Sequence, residues 1–159
     1  MLHSDCSQQE EILSISTEPS PSSKVISFDW SNLTEYHLHS SVPFQIVVNV
    51  TARWILRTIV DEGASVSILS STTWKYLGSP QLVPTTDQIL DFNRRPTAHL
   101  GILPYLPITL GRKTVCIDVM VVQGPLDFNL LLGRDYVYAM KAIVSKLFRV
   151  MHFPMMGRL

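Results

Sequence analysis

From Val42 onwards the chain is a succession of short apolar runs with strand spacing, separated by turn residues. In the first run Phe44, Ile46, Val48 and Val50 recur at every second position, which is the pattern of a strand with one buried face. Further runs cover 54–60, 98–103, 106–110, 115–122, 130–132 and 147–153. Many short strands with turn signals between them predict a mostly β protein, either a barrel or a sandwich.

Two short helices and one hairpin interrupt these strands in the sequence pattern. Ser71 can cap a helix that runs to Leu77 and stops at Gly78, and a second helix is predicted over residues 136–142. The apolar pieces 89–92 and 98–103 flank a polar tip and predict a hairpin. We expect Trp54 and Trp74 to lie in the core.

The 159 residues predict one folded domain with a tail. Residues 1–41 contain a Ser/Pro-rich stretch at 14–23 and are predicted to form a flexible N-terminal segment. The folded domain is predicted over residues 42–153, and residues 154–159 are a C-terminal tail.

Composition excludes several function classes. The formal net charge is zero, so nothing favours nucleic acid or an anionic membrane as a partner, whereas self-association meets little charge repulsion. No apolar run reaches the roughly 18 residues that a membrane span needs, and the acidic N-terminus is unlike a secretory signal. Two distant cysteines suggest a reducing compartment, and we predict an intracellular, cytoplasmic location. The histidines and cysteines lack metal-ligand spacing, so no metal and no cofactor are expected.

The run 59–65 contains Asp61, the candidate catalytic residue of the sequence. An apolar strand ends at this carboxylate, and Glu62, Gly63, Ala64 and Ser65 follow at once. Small turn residues let the backbone fold tightly beneath the side chain, so that the carboxylate is presented at a fixed point. Taken alone, Asp61 is better explained as a strand-end residue that accepts hydrogen bonds from turn amides, because such turn aspartates are common.

The order of three features resembles that of the retropepsin-like aspartic proteases. The family has an Asp-Ser/Thr-Gly-Ala loop, which the segment at Asp61 matches except at Glu62. A hairpin follows about 30 residues later, where the family has its flap, and Leu132-Gly133-Arg134 resembles the family's segment near the end of the fold. Over residues 42–153 the chain looks closest to proteases of plant gypsy-type LTR retrotransposon polyproteins, in which an aromatic-containing helix follows.

The resemblance implies a fold, a mechanism and a partner. The fold would be a closed barrel with one or two short helices, forming half of a two-fold aspartic protease. Asp61 would be catalytic and residues 62–65 would form the active-site loop, with the second catalytic Asp supplied by a second copy in a homodimer. Asn93, Arg94 and Arg95 would lie at the flap tip, where the two arginines are also explained as solvated residues. The substrate would be an extended peptide or a polyprotein.

Glu62 departs from the family pattern and leaves alternatives open. The family's Ser or Thr hydroxyl hydrogen-bonds across the dimer axis, whereas an ionised glutamate only accepts hydrogen bonds. Two copies would bring four carboxylates together, which predicts weaker dimerisation, an optimum at acidic pH, or no activity. The alternative functions are a catalytically inactive dimerisation or peptide-binding module, and a genomic relic without selected function.

Overall fold

The computed structural model describes residues 42–90 and 94–155. The predicted flexible segment 1–41 lies outside the described residues, as do the hairpin residues 91–93 and the end of the C-terminal tail. The division of the chain at residue 41 therefore stays a prediction.

Six strands close into a barrel, in the spatial order β1-β2-β6-β3-β5-β4. Their bounds are β1 Gln45–Val50, β2 Arg53–Val60, β3 Ser67–Ser70, β4 His99–Leu110, β5 Lys113–Val122 and β6 Leu130–Leu132. The side chains that face inwards are nearly all aliphatic, and several of them are fully buried, among them Val48, Val50, Leu69, Ile108, Val121, Leu130 and Leu132. The predicted mostly β closed barrel is confirmed.

A two-residue turn joins β1 to β2. Thr51 and Ala52 both have positive φ, 47° and 64°, which is the backbone of a tight turn that matches the twist of the paired strands. The pairing shifts between Ile46 and Val48 because β2 carries one extra residue opposite them. β2 runs on to Val60 and delivers Asp61 at its end.

The pair β4–β5 differs from the sequence prediction. Residues 98–103 and 106–110 were expected to form two strands, but they belong to the single twelve-residue strand β4. Pro104 and Tyr105 form a bulge, in which Tyr105 has a φ of 51° and its N–H donates to Asp118 Oδ1 at 2.9 Å. A bulge lets the strand keep its pairing on both sides of a proline, which explains why the sequence signal for a break was misleading.

Two short helices lie beside the barrel, as predicted, with shifted bounds. Helix α1 spans Ser71–Tyr76, and its N-cap is Ser70, not Ser71, because the Ser70 hydroxyl accepts from Thr73 N at 3.1 Å. Helix α2 spans Arg134–Met140 and therefore begins two residues before the predicted helix. Its C-cap is Lys141, which has the left-handed conformation.

The last part of the described chain is a hairpin. Strands β7 Ile143–Ser145 and β8 Val150–His152 pair in antiparallel fashion. The strand predicted over residues 147–153 is therefore present only as β8, because residues 146–149 form the turn, and β7 was not predicted.

The two tryptophans that were expected in the core differ in burial. The expectation for Trp54 is wrong, because its side chain is 66% exposed. Trp74 is half-buried, packs against the core and donates to Pro80 O at 2.9 Å.

Among the described residues, no helix has the length and apolar character needed to cross a membrane.

Candidate active site

Asp61 lies where β2 leaves the barrel, and its backbone is fixed by two neighbouring segments. Its N–H donates to Leu132 O at 2.9 Å, and the N–H of the preceding Val60 donates to Phe44 O at 3.0 Å. The Asp61 side chain is 41% exposed. A rigid strand end therefore presents this carboxylate at the surface, where a ligand can reach it.

The turn after Asp61 orients its carboxylate. Gly63 N donates to Asp61 Oδ1 at 3.0 Å, and Ala64 N donates to Asp61 O at 3.1 Å. Gly63 N thus holds one carboxylate oxygen, while Ala64 N closes the turn on the Asp61 backbone carbonyl. Glu62 and Ser65, the two polar members of the loop, are exposed.

Gly133 brings the Leu132-Gly133-Arg134 segment against this loop. A Cβ at Gly133 would lie 2.7 Å from Val66 O and 2.9 Å from Ala64 O, which is closer than side-chain atoms can approach. Arg134 N donates to Ala64 O at 2.8 Å, while its side chain is exposed. Glycine is required at this position because the backbone at residue 133 contacts the backbone at residues 64–66, and this contact supports the Asp61 loop.

Ser67 and Asp135 form a second connection, which the sequence analysis missed. Ser67 Oγ donates to Asp135 Oδ1 at 2.6 Å, Ser67 N donates to Asp135 Oδ2 at 3.3 Å, and Gly133 N donates to Ser67 Oγ at 2.9 Å. Asp135 Oδ1 also accepts from Tyr136 N at 2.8 Å in the first turn of α2. An acid in the first turn of a helix was the available signal, but nothing local identified its partner 68 residues away.

A cation lies next to the candidate catalytic carboxylate. Lys146, in the turn between β7 and β8, places Nζ 3.5 Å from Asp61 Oδ1, and its side chain is 60% exposed. The sequence analysis gave Lys146 no role. Within the described residues no three His, Cys, Asp or Glu side chains are grouped so that they could hold a metal ion.

The predicted flap is a hairpin at its base. Leu90 and Pro96 form an isolated bridge, and Thr97 N donates to Ile89 O at 2.9 Å. Arg94 and Arg95 are exposed at its end, and Asn93 lies outside the described residues. None of the hydrogen bonds that fix the Asp61 loop, as given above, comes from this hairpin.

Within the described residues, one chain supplies a single carboxylate that is presented by a strand end and a Gly-Ala turn. Of the other acids in the described part of the chain, Asp135 is bound to Ser67, and Asp118 accepts from Tyr105 N in the β4 bulge. Asp87 is exposed in the loop before the hairpin. Among the described residues, Asp61 alone stands at a strand end with a Gly-Ala turn beneath it.

Solved structures with the same architecture are retropepsin-like. The retroviral protease-like domain of Ddi1 from Leishmania major has a TM-score of 0.55 and 15% identity, over 70% of this chain and 87% of that one. A retropepsin-like aspartic protease from Rickettsia conorii has a TM-score of 0.52 and 25% identity, over 65% of this chain and 76% of that one. EIAV protease in complex with the inhibitor HBY-793 has a TM-score of 0.53 and 17% identity, over 70% of this chain and 99% of that one.

These likenesses define the fold class. No protein-family model and no curated protein matches the sequence. The structural neighbours, by contrast, are retropepsin-like aspartic proteases, and each covers 65% to 70% of this chain. The chain therefore has the retropepsin-like fold, and Asp61 lies on the loop that follows β2 in that fold.

Proposed function

We propose that this chain is an aspartic endopeptidase domain that works as a homodimer, with Asp61 of each copy forming the catalytic pair. The observation that carries the proposal is the presentation of Asp61. Its backbone is fixed by β6, one carboxylate oxygen is held by Gly63 N, and the side chain remains partly exposed. Hydrolysis by this route needs two carboxylates that share one proton, and the described chain offers one. A second copy related by a two-fold axis is the simplest source of the other.

The proposed chemistry requires little beyond this pair. One Asp61 accepts a proton from a water molecule as the water oxygen attacks the scissile carbonyl carbon. The protonated Asp61 of the other copy donates a hydrogen bond to the carbonyl oxygen and stabilises the tetrahedral intermediate. A proton then passes to the leaving nitrogen, and the C–N bond breaks to give a carboxylic acid and an amine.

We propose that the substrate is an extended peptide, and that the chain derives from a retroelement polyprotein of the plant gypsy type. An extended peptide presents backbone groups that can pair with strand edges, and the hairpin at residues 89–97 can supply one such edge. The polyprotein origin is supported by the order of the Asp61 loop, the hairpin and the Leu132-Gly133-Arg134 segment. The alternative is a catalytically inactive dimerisation or peptide-binding module, which the tests below would indicate by the absence of cleavage.

The first test is cleavage of a mixed peptide library, scanned from acidic to neutral pH. We expect cleavage by the wild-type chain and none by Asp61→Asn, because the amide cannot act as a base. Asp87→Asn is the matched control, since Asp87 is exposed and lies in a loop outside the barrel. Cleavage that survives Asp61→Asn would exclude the proposed mechanism. A dimer without cleavage would favour the inactive module.

The second test addresses Glu62. Two copies bring two glutamates close to the pair of aspartates, and gathered negative charge opposes assembly. We expect Glu62→Ser to strengthen dimerisation or raise activity at neutral pH, measured by sedimentation equilibrium and by cleavage of one selected peptide. If the variant leaves both quantities unchanged, Glu62 does not limit the enzyme.

A further inference from the structure

The ion pair between Lys146 and Asp61 is a feature of the candidate site for which the proposed mechanism has no use. Lys146 Nζ lies 3.5 Å from Asp61 Oδ1, the oxygen that also accepts from Gly63 N. The residue belongs to the turn between β7 and β8, which comes from the far end of the described chain. A cation at this distance alters the electrostatics of any reaction that Asp61 takes part in.

The turn that carries Lys146 is anchored to the same backbone that frames Asp61. Arg149 Nη2 donates to Pro43 O at 2.9 Å and Nη1 donates to Val42 O at 3.3 Å, while its guanidinium lies 5.9 Å from the centre of the Phe44 ring. Phe44 O in turn accepts from Val60 N, one residue before Asp61. Arg149 therefore ties the turn that carries Lys146 to the segment before β1.

In the proposed dimer, negative charges gather at the two-fold axis, and the Lys146 ammonium group lies where it can offset them. Each copy brings Asp61 and Glu62 to the two-fold axis, so four carboxylates gather, and a single shared proton removes only one negative charge. Charged residues on the neighbouring elements include Arg134, Asp135 and Arg149. Asp135 is bound to Ser67, and Arg149 is bound to the backbone carbonyls of residues 42 and 43, before β1. Among the described residues, Lys146 is the cation within ion-pair distance of Asp61.

We infer that Lys146 is the charge-compensating residue of this active site, and that it permits a glutamate at position 62. Each copy supplies one ammonium group to the cluster of carboxylates. Two lysines thereby offset most of the negative charge that assembly would otherwise concentrate. This inference rests on the proposed homodimeric function. It assigns Lys146 a positioning role towards Asp61, and not a role in bond cleavage.

The role applies to the dimer and not to folding of the single chain. Both partners are substantially exposed, 60% for Lys146 and 41% for Asp61, and exposed ion pairs contribute little to stability. At a dimer interface water is displaced, and the same pair interacts more strongly. We therefore expect Lys146→Met to weaken association while it leaves the urea unfolding midpoint of the monomer unchanged, measured at a protein concentration below the dimer dissociation constant.

The experiment measures dimerisation of the full chain by sedimentation equilibrium at low salt. At pH 7 we expect Lys146→Met to raise the dimer dissociation constant about tenfold, because the symmetric dimer loses two charge pairs, one in each copy. Lys146→Arg keeps the charge and should retain wild-type affinity. Lys75→Met, at an exposed position on α1, is the matched control. At high salt the interaction between charges is screened, so the difference between Lys146→Met and wild type should shrink.

A double-mutant cycle with Glu62→Gln isolates the compensation. When Glu62 is neutral, the cluster carries less negative charge, so Lys146→Met should weaken the dimer much less than in the wild-type background. Equal losses in both backgrounds would overturn the inference, as would a Lys146→Met dimer that is as tight as wild type or tighter.

The outcome also separates the inference from the proposed function. If the wild-type chain forms a dimer and cleaves peptides, but Lys146→Met behaves identically, the inference alone fails. If the wild-type chain neither dimerises nor cleaves at any pH, both fail, because no cluster of carboxylates forms.

Discussion

The loop that carries Asp61 and the hairpin at residues 89–97 differ in how they are joined to the barrel. The loop is held by backbone hydrogen bonds to β6 and by the close approach of Gly133, with Ser67 and Asp135 behind it. Among the described residues, the base of the hairpin is closed by the bridge between Leu90 and Pro96, which includes the hydrogen bond from Thr97 N to Ile89 O. In the proposed mechanism, Asp61 must meet a second carboxylate and therefore needs fixed geometry, whereas a hairpin that admits and covers a peptide needs freedom to move. The difference predicts that mutations in the two regions affect different measured quantities.

The largest expected effect is at Gly133. Gly133→Ala would place a methyl group 2.7 Å from Val66 O, although the φ of −86° is compatible with alanine. We expect a loss of about 3 kcal/mol in the free energy of unfolding, because two backbone segments must separate. Urea denaturation of the full chain, followed by tryptophan fluorescence, measures this.

Gly78→Ala is the control for Gly133→Ala. Gly78 has a φ of 96° with open space around it, so alanine there costs only the left-handed backbone strain, about 1 kcal/mol. Equal losses for the two variants would show that the Gly133 contact is not rigid.

The second effect, at Ser67, tests the connection behind the loop. Ser67→Ala removes a hydroxyl that accepts from Gly133 N and donates to Asp135, so a buried N–H and a carboxylate each lose a partner. We expect a loss of about 2 kcal/mol in unfolding free energy, together with reduced cleavage, because the loop backbone is released. Ser65→Ala, at an exposed position in the same loop, should change stability by less than about 0.5 kcal/mol. Similar losses at both serines would contradict the assigned hydrogen bonds.

The sequence predicted the parts of this site that are local. A strand that ends at Asp61, the small-residue turn and the apolar run before Gly133 are all visible as short patterns, and the barrel class follows from the number of such runs. The role of Gly133 depends on which backbone approaches it, and the bond between Ser67 and Asp135 spans 68 residues. Contacts of this kind arise from strand pairing in three dimensions, so no local pattern specifies them.

Lys146 was missed for a different physical reason. Residues 146–149 contain no glycine, proline, asparagine or aspartate, so the sequence gives no turn signal there. Arg149 nevertheless adopts a φ of 51°, and its guanidinium is held by two backbone carbonyls of the segment before β1. Tertiary contacts thus form a turn that local preference does not favour, and the turn carries the cation to Asp61.

The third prediction concerns the hairpin. Leu90 is 54% exposed, so Leu90→Ala should change the free energy of unfolding by less than about 0.5 kcal/mol. If the hairpin covers bound peptide, the variant should raise KM or lower kcat/KM by about tenfold, since an apolar contact with substrate is lost. Leu56→Ala, at a similarly exposed position on β2, is the control. A hairpin variant with unchanged kinetics would show that this arm does not touch the substrate.

The smallest effect is expected at Tyr136, in α2 directly after the Asp135 connection. Its hydroxyl is buried and has no hydrogen-bond partner among the described residues, and burial raises the pKa of this phenol. Because the folded-state pKa is raised, the tyrosine contributes stability below about pH 10, which is lost as the pH rises further and the unfolded chain ionises. Tyr136→Phe should be as stable as wild type at pH 7, or up to about 1 kcal/mol more stable, and should lose less stability at alkaline pH. Urea midpoints between pH 7 and 11 measure this, with Tyr138→Phe, which is 73% exposed in the wild type, as the control. A Tyr136→Phe variant that is clearly less stable at pH 7 would show that the hydroxyl is hydrogen-bonded, and that the back of the Asp61 loop is held by more than Ser67 and Asp135.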